Sequence, residues 1–225
     1  MIMGKLIVLE GTDGCGKSTQ MSLLSERMKK DGRPFRHLRF PQYEKESSAL
    51  IRLYLGGAFG MQPSDVNPYA ASLFYAVDRF ASFAQDWKAY YEDGGVLIAD
   101  RYTTSNAVHQ GGKLPPEEQR AFFSWLYELE FEKVRLPEPD LVICLDMPIE
   151  LSEQLMRKRE SATNTTADIH EQHPEYLAQC RKAAAEAAAF YGWKTVSCAA
   201  NGALRTPEDI HGEIYGLVTA CLEGE

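Results

Sequence analysis

Three short apolar runs punctuate the chain: Leu6–Leu9, Val96–Ala99 and Leu141–Leu145. Each is nearly continuous rather than alternating, the pattern of strands buried on both faces of a parallel sheet. An acid follows each run: Glu10, Asp100 and Asp146. Arg36–Phe40 and Thr195–Ser197 read as weaker strands. Between the runs the apolar spacing becomes helical. Met21, Leu24 and Met28 recur after Gly16, until Asp31 and Gly32 end the pattern. Leu73–Phe80 reads as a helix. Pro116 opens another, with Ala121, Phe122, Trp125, Leu126 and Leu129 on one face. Ile149 to about Arg159, Glu175 to about Tyr191 and Pro207 to about Leu222 complete the set. Alternating strands and helices predict βαβ units, hence an α/β fold with a parallel sheet and right-handed crossovers. Ligands of such sheets sit at the carboxyl ends of the strands, where the three acids fall.

Composition narrows the class. A chain of 225 residues suits one domain with a core of its own. Lys plus Arg total 24 against 32 Asp plus Glu, a net charge of −8. That balance argues against general binding to nucleic acid or to an anionic membrane, and leaves room for one local basic pocket. The 5 cysteines are scattered and form no CxxC pair, so neither a zinc ribbon nor a disulfide framework is expected. Reduced thiols point to the cytoplasm. The apolar run in MIMGKLIVLEG is too short for a signal peptide, and no stretch of about 18 apolar residues suggests a membrane span.

The chemistry concentrates after the first strand. Residues Gly11, Thr12, Asp13, Gly14, Cys15, Gly16, Lys17, Ser18 and Thr19 read GTDGCGKST, a full match to GxxxxGK[ST] between a strand and a helix. The glycines let backbone N–H groups curl around phosphate oxygens. Lys17 carries charge to the β- and γ-phosphates, Ser18 offers a hydroxyl to Mg²⁺, and the helix N-terminus adds its dipole. Cys15 reads as a small residue tolerated in the loop. No NKxD base-reading motif follows, which argues against a GTPase.

A nucleotide kinase also needs an acceptor site with arginines and a lid with cations. Two segments fit the first requirement. Tyr75 and Arg79 are four apart on a helix, so an aromatic and an arginine share a face. A surface arginine on an ordinary amphipathic helix is the plainer alternative. The second segment is DRYTTSNAVHQ, from Asp100 to Gln110. There Asp100 can hold Mg²⁺ or orient the acceptor, and Arg101 can reach an anion in the same crevice. Asp146 is a weaker candidate for the metal-side acid.

At this point the sequence resembles the thymidylate kinase family. Gly11, Asp13, Gly16, Lys17 and Ser18 meet its loop pattern GxDxxGKS/T. Asp100, Arg101, Tyr102 and Ser105 meet its DRYxxS segment. RLPEPDLVICLD, from Arg135, is similar to its LPxPDLxxxL stretch, and RFPQY, from Arg39, resembles FPxR in part. The resemblance implies a P-loop NTPase-type three-layer fold with five parallel strands, a single domain over 1–225 and a mobile lid near 157–174. It implies transfer of the γ-phosphoryl group of ATP to dTMP with Mg²⁺, in a protein that is commonly a homodimer. By position, Asp13 lies near the deoxyribose 3′-hydroxyl. Tyr75 stacks on the base, with Phe74 its rival, and Arg79 contacts thymine. Phe40, Ser105 and Gln110 join the substrate pocket, and Arg101 holds the dTMP phosphate. Lys17, Asp100, Arg101 and the lid arginines Arg157 and Arg159 form the catalytic set, with Ser18 and Asp100 on the metal.

Three positions depart from the family. Tyr43 stands where the FPxR arginine is expected, with Arg39 or Lys45 as substitutes. His109 replaces an aromatic residue after Val108. Gly14 takes a loop position where some members carry a catalytic arginine. The departures keep two alternatives open: a kinase for another deoxynucleotide or a deoxynucleoside, and a nucleotide-binding regulatory homologue with weak transfer. For a deoxynucleoside, Glu10 or Asp100 would serve as general base.

Overall fold

The computed structural model describes residues 3–163 and 173–224, without the side chains of 157–163 and 174. Five parallel strands form the sheet: β1 (Lys5–Glu10), β2 (Arg36–Arg39), β3 (Val96–Asp100), β4 (Leu141–Asp146) and β5 (Lys194–Ser197), in the order β2-β3-β1-β4-β5. All five match the sequence reading to within a residue or two. A two-stranded ribbon, β6 (Ala199–Ala200) with β7 (Ala203–Leu204), follows β5.

Helices cover both faces. They are α1 (Lys17–Lys30), α2 (Ala49–Leu55), α3 (Pro68–Ser82), α4 (Lys88–Glu92), α5 (Thr104–His109), α6 (Pro116–Tyr127), α7 (Ile149–Thr163), α8 (Pro174–Tyr191) and α9 (Pro207–Glu223). Wide π-helical turns join α3 to α4 (Phe83–Trp87) and extend α6 (Glu128–Lys133). Neighbouring residues of a strand point to opposite faces, so the central strands feed two cores. Ile7 and Leu9 pack with Met21, Leu24 and Met28 of α1 and Ile210, Ile214 and Val218 of α9. Leu6 and Val8 pack on the other face with Trp87, Tyr91 and Tyr102. Both faces are sealed, which is why these strands carry no polar alternation. Among the described residues no helix is long and apolar enough to cross a membrane.

The register aligns the strand ends that matter. Leu9 lies beside Asp100 and Arg39 beside Asp100, so Glu10, Arg39 and Asp100 emerge on one edge of the sheet.

Candidate active site

A cleft of about 550 Å³ opens at that edge. Asp13 to Thr19 form one wall, and Thr12 borders a separate groove near Asp146. Gly16 caps α1 with φ 89° and no side-chain cap, leaving the helix N-terminus to an anion. Gly14 has φ 76°, and a Cβ there would stand 2.7 Å from the Ser152 carbonyl oxygen and 2.8 Å from Met156 Cγ. Only a glycine lets α7 press this closely on the loop, so the arginine some relatives place here has no room. Lys17 Nζ donates to the Gly11 and Thr12 carbonyls at 2.6 and 3.0 Å. Burial raises the Cys15 thiol pKa despite nearby Lys17, so Cys15 stays a small neutral filler.

Glu10, fully buried, is a junction. Its carboxylate accepts from the Gly11 N–H at 2.8 Å and from the Thr104 and Ser105 hydroxyls, each at 2.6 Å. With its oxygens so engaged it is not a free base for a neutral hydroxyl. Arg101, at φ 68°, donates its N–H to the Leu9 carbonyl at 3.1 Å, so the residue after β3 is turned toward the loop. Its Nη2 lies 2.5 Å from Asp13 Oδ1. Its Nη1 lies 3.0 Å from His109 Nε2, 3.4 Å from Ser105 Oγ and 3.6 Å from Glu10. Burial opposes the charge, but Asp13, Glu10 and Asp100 outweigh it and hold the pKa above the usual arginine value.

Asp100 has one carboxylate oxygen buried without a hydrogen-bond partner among the described residues, and the other 3.8 Å from Arg39 Nε. Ser18 and Asp100 both line the cleft. A hydroxyl and an unsatisfied carboxylate oxygen are a donor set that suits Mg²⁺, which takes few protein ligands and relies on water and phosphate for the rest. Asp146, by contrast, binds Arg181 at 2.9 and 3.0 Å outside the cleft.

The acceptor wall comes from α3, α5 and the loop after β2. Of the two rival aromatics, Tyr75 lines the cleft, whereas Phe74 packs on Tyr54 and Phe59 with centroids 6.5 and 5.8 Å away. Phe40, Ser105 and Gln110 line the cleft as well. Arg79 is not the surface arginine of the plainer alternative. It reaches the cleft, yet it is only 2% exposed, and Glu130, wholly buried, takes its Nη2 and its Nε (3.2 Å). Glu130 thus fixes the plane of the guanidinium, and its remaining nitrogen, Nη1, lies 3.4 Å from the Tyr102 carbonyl. Asn106 Nδ2 also reaches Glu130, at 3.4 Å. The residues missed by the sequence reading are Glu130, Asn106 and Asp78. Asp78 accepts from the Gln42 N–H (2.9 Å) and Ser47 Oγ (2.6 Å) and so fixes the loop that carries Phe40 and Tyr43. Glu130 gave no signal, because the helical spacing expected Leu129 inward. The wide turn after Tyr127 shifts the phase by one residue, burying Glu130 and leaving Leu129 half-buried, and Ala121 is exposed.

Tyr43, which is exposed, and Arg39 both line the cleft. Lys45 faces Asp86 at 3.9 Å, so Arg39 is the better-placed substitute for the missing arginine. Leu155 and Met156 of α7 line the cleft. The side chains of Arg157 and Arg159, and the lid from 164 to 172, lie outside the described residues.

A family profile described as "Thymidylate kinase" matches residues 9–213. The chain belongs to the thymidylate kinase family. It is therefore a kinase, and the reaction of its family is transfer from ATP to dTMP. The thymidylate kinase of Mycobacterium tuberculosis (strain CDC 1551 / Oshkosh) is 32% identical over 190 residues, 84% of this chain and 87% of that one. A probable thymidylate kinase of Thermococcus onnurineus is 31% identical over 214 residues, 94% and 96% of the two chains. The solved thymidylate kinase of Candida albicans superposes with a TM-score of 0.71 over 99% of this chain and 94% of that one, at 21% identity, a likeness of fold. Nothing in the site or the comparisons favours a deoxynucleoside kinase or an inactive homologue.

Proposed function

We propose that the chain makes dTDP from dTMP and ATP with the residues gathered at the sheet edge, in a single domain over 1–225 with a lid near 157–174. The observation that carries this reading is Arg101, turned by its left-handed backbone to meet Asp13 of the phosphate loop. A cation suited to the acceptor phosphate thus stands against the loop suited to the donor.

Lys17 leaves its loop carbonyls to neutralise the ATP phosphates, and the amides of α1 receive them. Ser18 and Asp100 would hold Mg²⁺, which supplies charge neutralisation on the phosphates when bound. Arg101 positions the dTMP phosphate, whose oxygen is already nucleophilic at neutral pH, so no side chain need take a proton. Asp13 faces the deoxyribose, Tyr75 stacks on the base, and Arg157 and Arg159 serve the transferring group. Arg39 supplies the cation that Tyr43 cannot. In-line positioning and charge account for the rate.

Leu50 and Leu53 of α2 and Leu73, Val77 and Phe80 of α3 are each exposed, on two helices that touch. Such an apolar face supports the homodimer that the family resemblance implies. The cysteines of the described residues are all unpaired, four of them buried, which fits the cytoplasm.

The test is ADP release with Mg-ATP across dTMP, dUMP, dCMP, dGMP, AMP, CMP, UMP and thymidine. Selective turnover of dTMP, lost in Lys17→Ala and Arg101→Ala, is expected. Turnover unchanged in both variants would overturn the scheme.

A further inference from the structure

His109 is one of the positions where the chain leaves its family's pattern, and the reaction scheme leaves it without a task. It ends α5 and is 7% exposed. Its Nε2 lies 3.0 Å from Arg101 Nη1. A guanidinium has donors only, so this contact is a hydrogen bond only when Nε2 carries the lone pair. The imidazole proton then sits on Nδ1. That nitrogen faces the Cys180 sulfur of α8 at 3.8 Å, a weak acceptor whose thiol burial pushes up to about 12. The Tyr176 hydroxyl donates to the His109 carbonyl at 2.6 Å and fixes the backbone that carries the ring.

We propose that His109 is a positioning residue: its neutral imidazole, through Nε2, holds Arg101 Nη1 at the angle needed to receive the acceptor phosphate. This rests on the assignment of Arg101 to that phosphate. Asp13 takes the other terminal nitrogen, so the guanidinium is held from two sides. An imidazolium in the same place would set N–H against N–H and cation against cation. Nη1 would then turn toward Ser105 and Glu10, 3.4 and 3.6 Å away. Among the described residues, the charged and titratable groups around the ring include Arg101, with Asp13 and Glu10 behind it, Cys180 and Tyr176 from α8, and Lys113, whose charge is felt at Cys180. Asp13 and Glu10 are already engaged by Arg101, so a second cation would compete for their charge. The contact is therefore present above the pKa of the ring and lost as the pH falls through it.

The deciding measurements are KM for dTMP from pH 8 to 5.5 in the wild type, His109→Gln and His109→Phe, together with the ¹⁵N spectrum of the His109 ring without substrate. Glutamine offers a carbonyl oxygen that does not titrate, and phenylalanine offers no acceptor. The dTMP phosphate itself protonates near pH 6, and does so equally for all three proteins. The wild type should therefore show an acid rise in KM about tenfold beyond that of His109→Gln, the value of one charge-assisted hydrogen bond. His109→Phe should show KM raised by a similar factor at every pH, with KM for ATP unchanged in all three. The spectrum should show the Nδ1-protonated neutral ring at pH 7.5. An Nε2-protonated ring or an imidazolium at that pH, or equal acid rises in the wild type and His109→Gln, would overturn the proposal. The spectrum reads the histidine–arginine contact without substrate, whereas KM in Arg101→Ala tests the phosphate assignment, so the two can fail separately.

Discussion

Replacing Glu130 by glutamine should destabilise the protein far more than a change of one atom suggests. Arg79 is 2% exposed and Glu130 fully buried, and the pair closes through two guanidinium nitrogens. Neither charge can be hydrated without opening the packing of α3 against the π-turn after α6. Removing the carboxylate charge leaves a buried cation without its counterion, which costs about 3–5 kcal/mol. At this chain length that loss lowers Tm by about 6–20 °C. The assay is urea unfolding followed by far-ultraviolet circular dichroism at fixed protein concentration, since association would itself shift the midpoint. The double variant Arg79→Met, Glu130→Leu supplies the control. It removes both charges and keeps apolar volume, so it should be less destabilised than Glu130→Gln. A single variant within about 1 kcal/mol of the wild type would refute the reasoning. So would a double variant whose loss equals the sum of the losses in Arg79→Met alone and Glu130→Leu alone.

Gly14→Ala should weaken ATP binding about tenfold by calorimetry with little change in KM for dTMP, because its Cβ meets α7 and its left-handed φ adds about 1 kcal/mol. Tyr75→Ala should raise KM for dTMP while leaving the unfolding midpoint nearly unchanged; Phe74→Ala, in its aromatic cluster, should do the reverse, losing about 2 kcal/mol of stability. Burial pushes the Lys113 ammonium down to about 7, where it donates to the Val66 carbonyl at 2.9 Å and lies 4.9 Å from the Tyr54 ring centre. The unfolded chain then binds more protons than the folded one from about pH 7 to the ordinary lysine range, so this group makes stability rise with pH over that window. A urea series from pH 6 to 10 should lose that rise in Lys113→Met; identical slopes would contradict the burial argument.

The strands and most helices were legible because each rests on a local cause. The continuous apolar runs of β1, β3 and β4 report burial on two faces, and Asp31–Gly32 and Pro116 mark helix ends by backbone chemistry. The loop from Gly11 to Thr19 was legible for the same reason, since its conformation and its chemistry come from the same short segment. What stayed hidden depends on contacts distant in sequence. Arg79 meets Glu130 across 51 positions, and Asp78 reaches Gln42 across 36. Glu130 follows Leu129, the residue that the helical spacing places inward, and only the wide turn brings Glu130 inward instead. No spacing rule encodes that rotation. The strand order likewise left no mark on the sequence, because every crossover of a doubly covered sheet looks alike.

Glu10 binds the amide that opens the phosphate loop and the two hydroxyls at the start of α5. One rigid side chain therefore sets the distance between the donor half of the cleft and the acceptor half. The halves cannot be retuned independently. A substitution that tilts α5 to admit a different acceptor drags Glu10 and, with it, the first amide of the ATP loop. Altered acceptor choice is more readily reached from α3 and the loop after β2, which Asp78 ties to each other and not to Glu10. Selection experiments for new monophosphate substrates should accordingly collect their first changes between Phe40 and Tyr75, and reach Thr104 and Ser105 only with compensating changes beside Gly11.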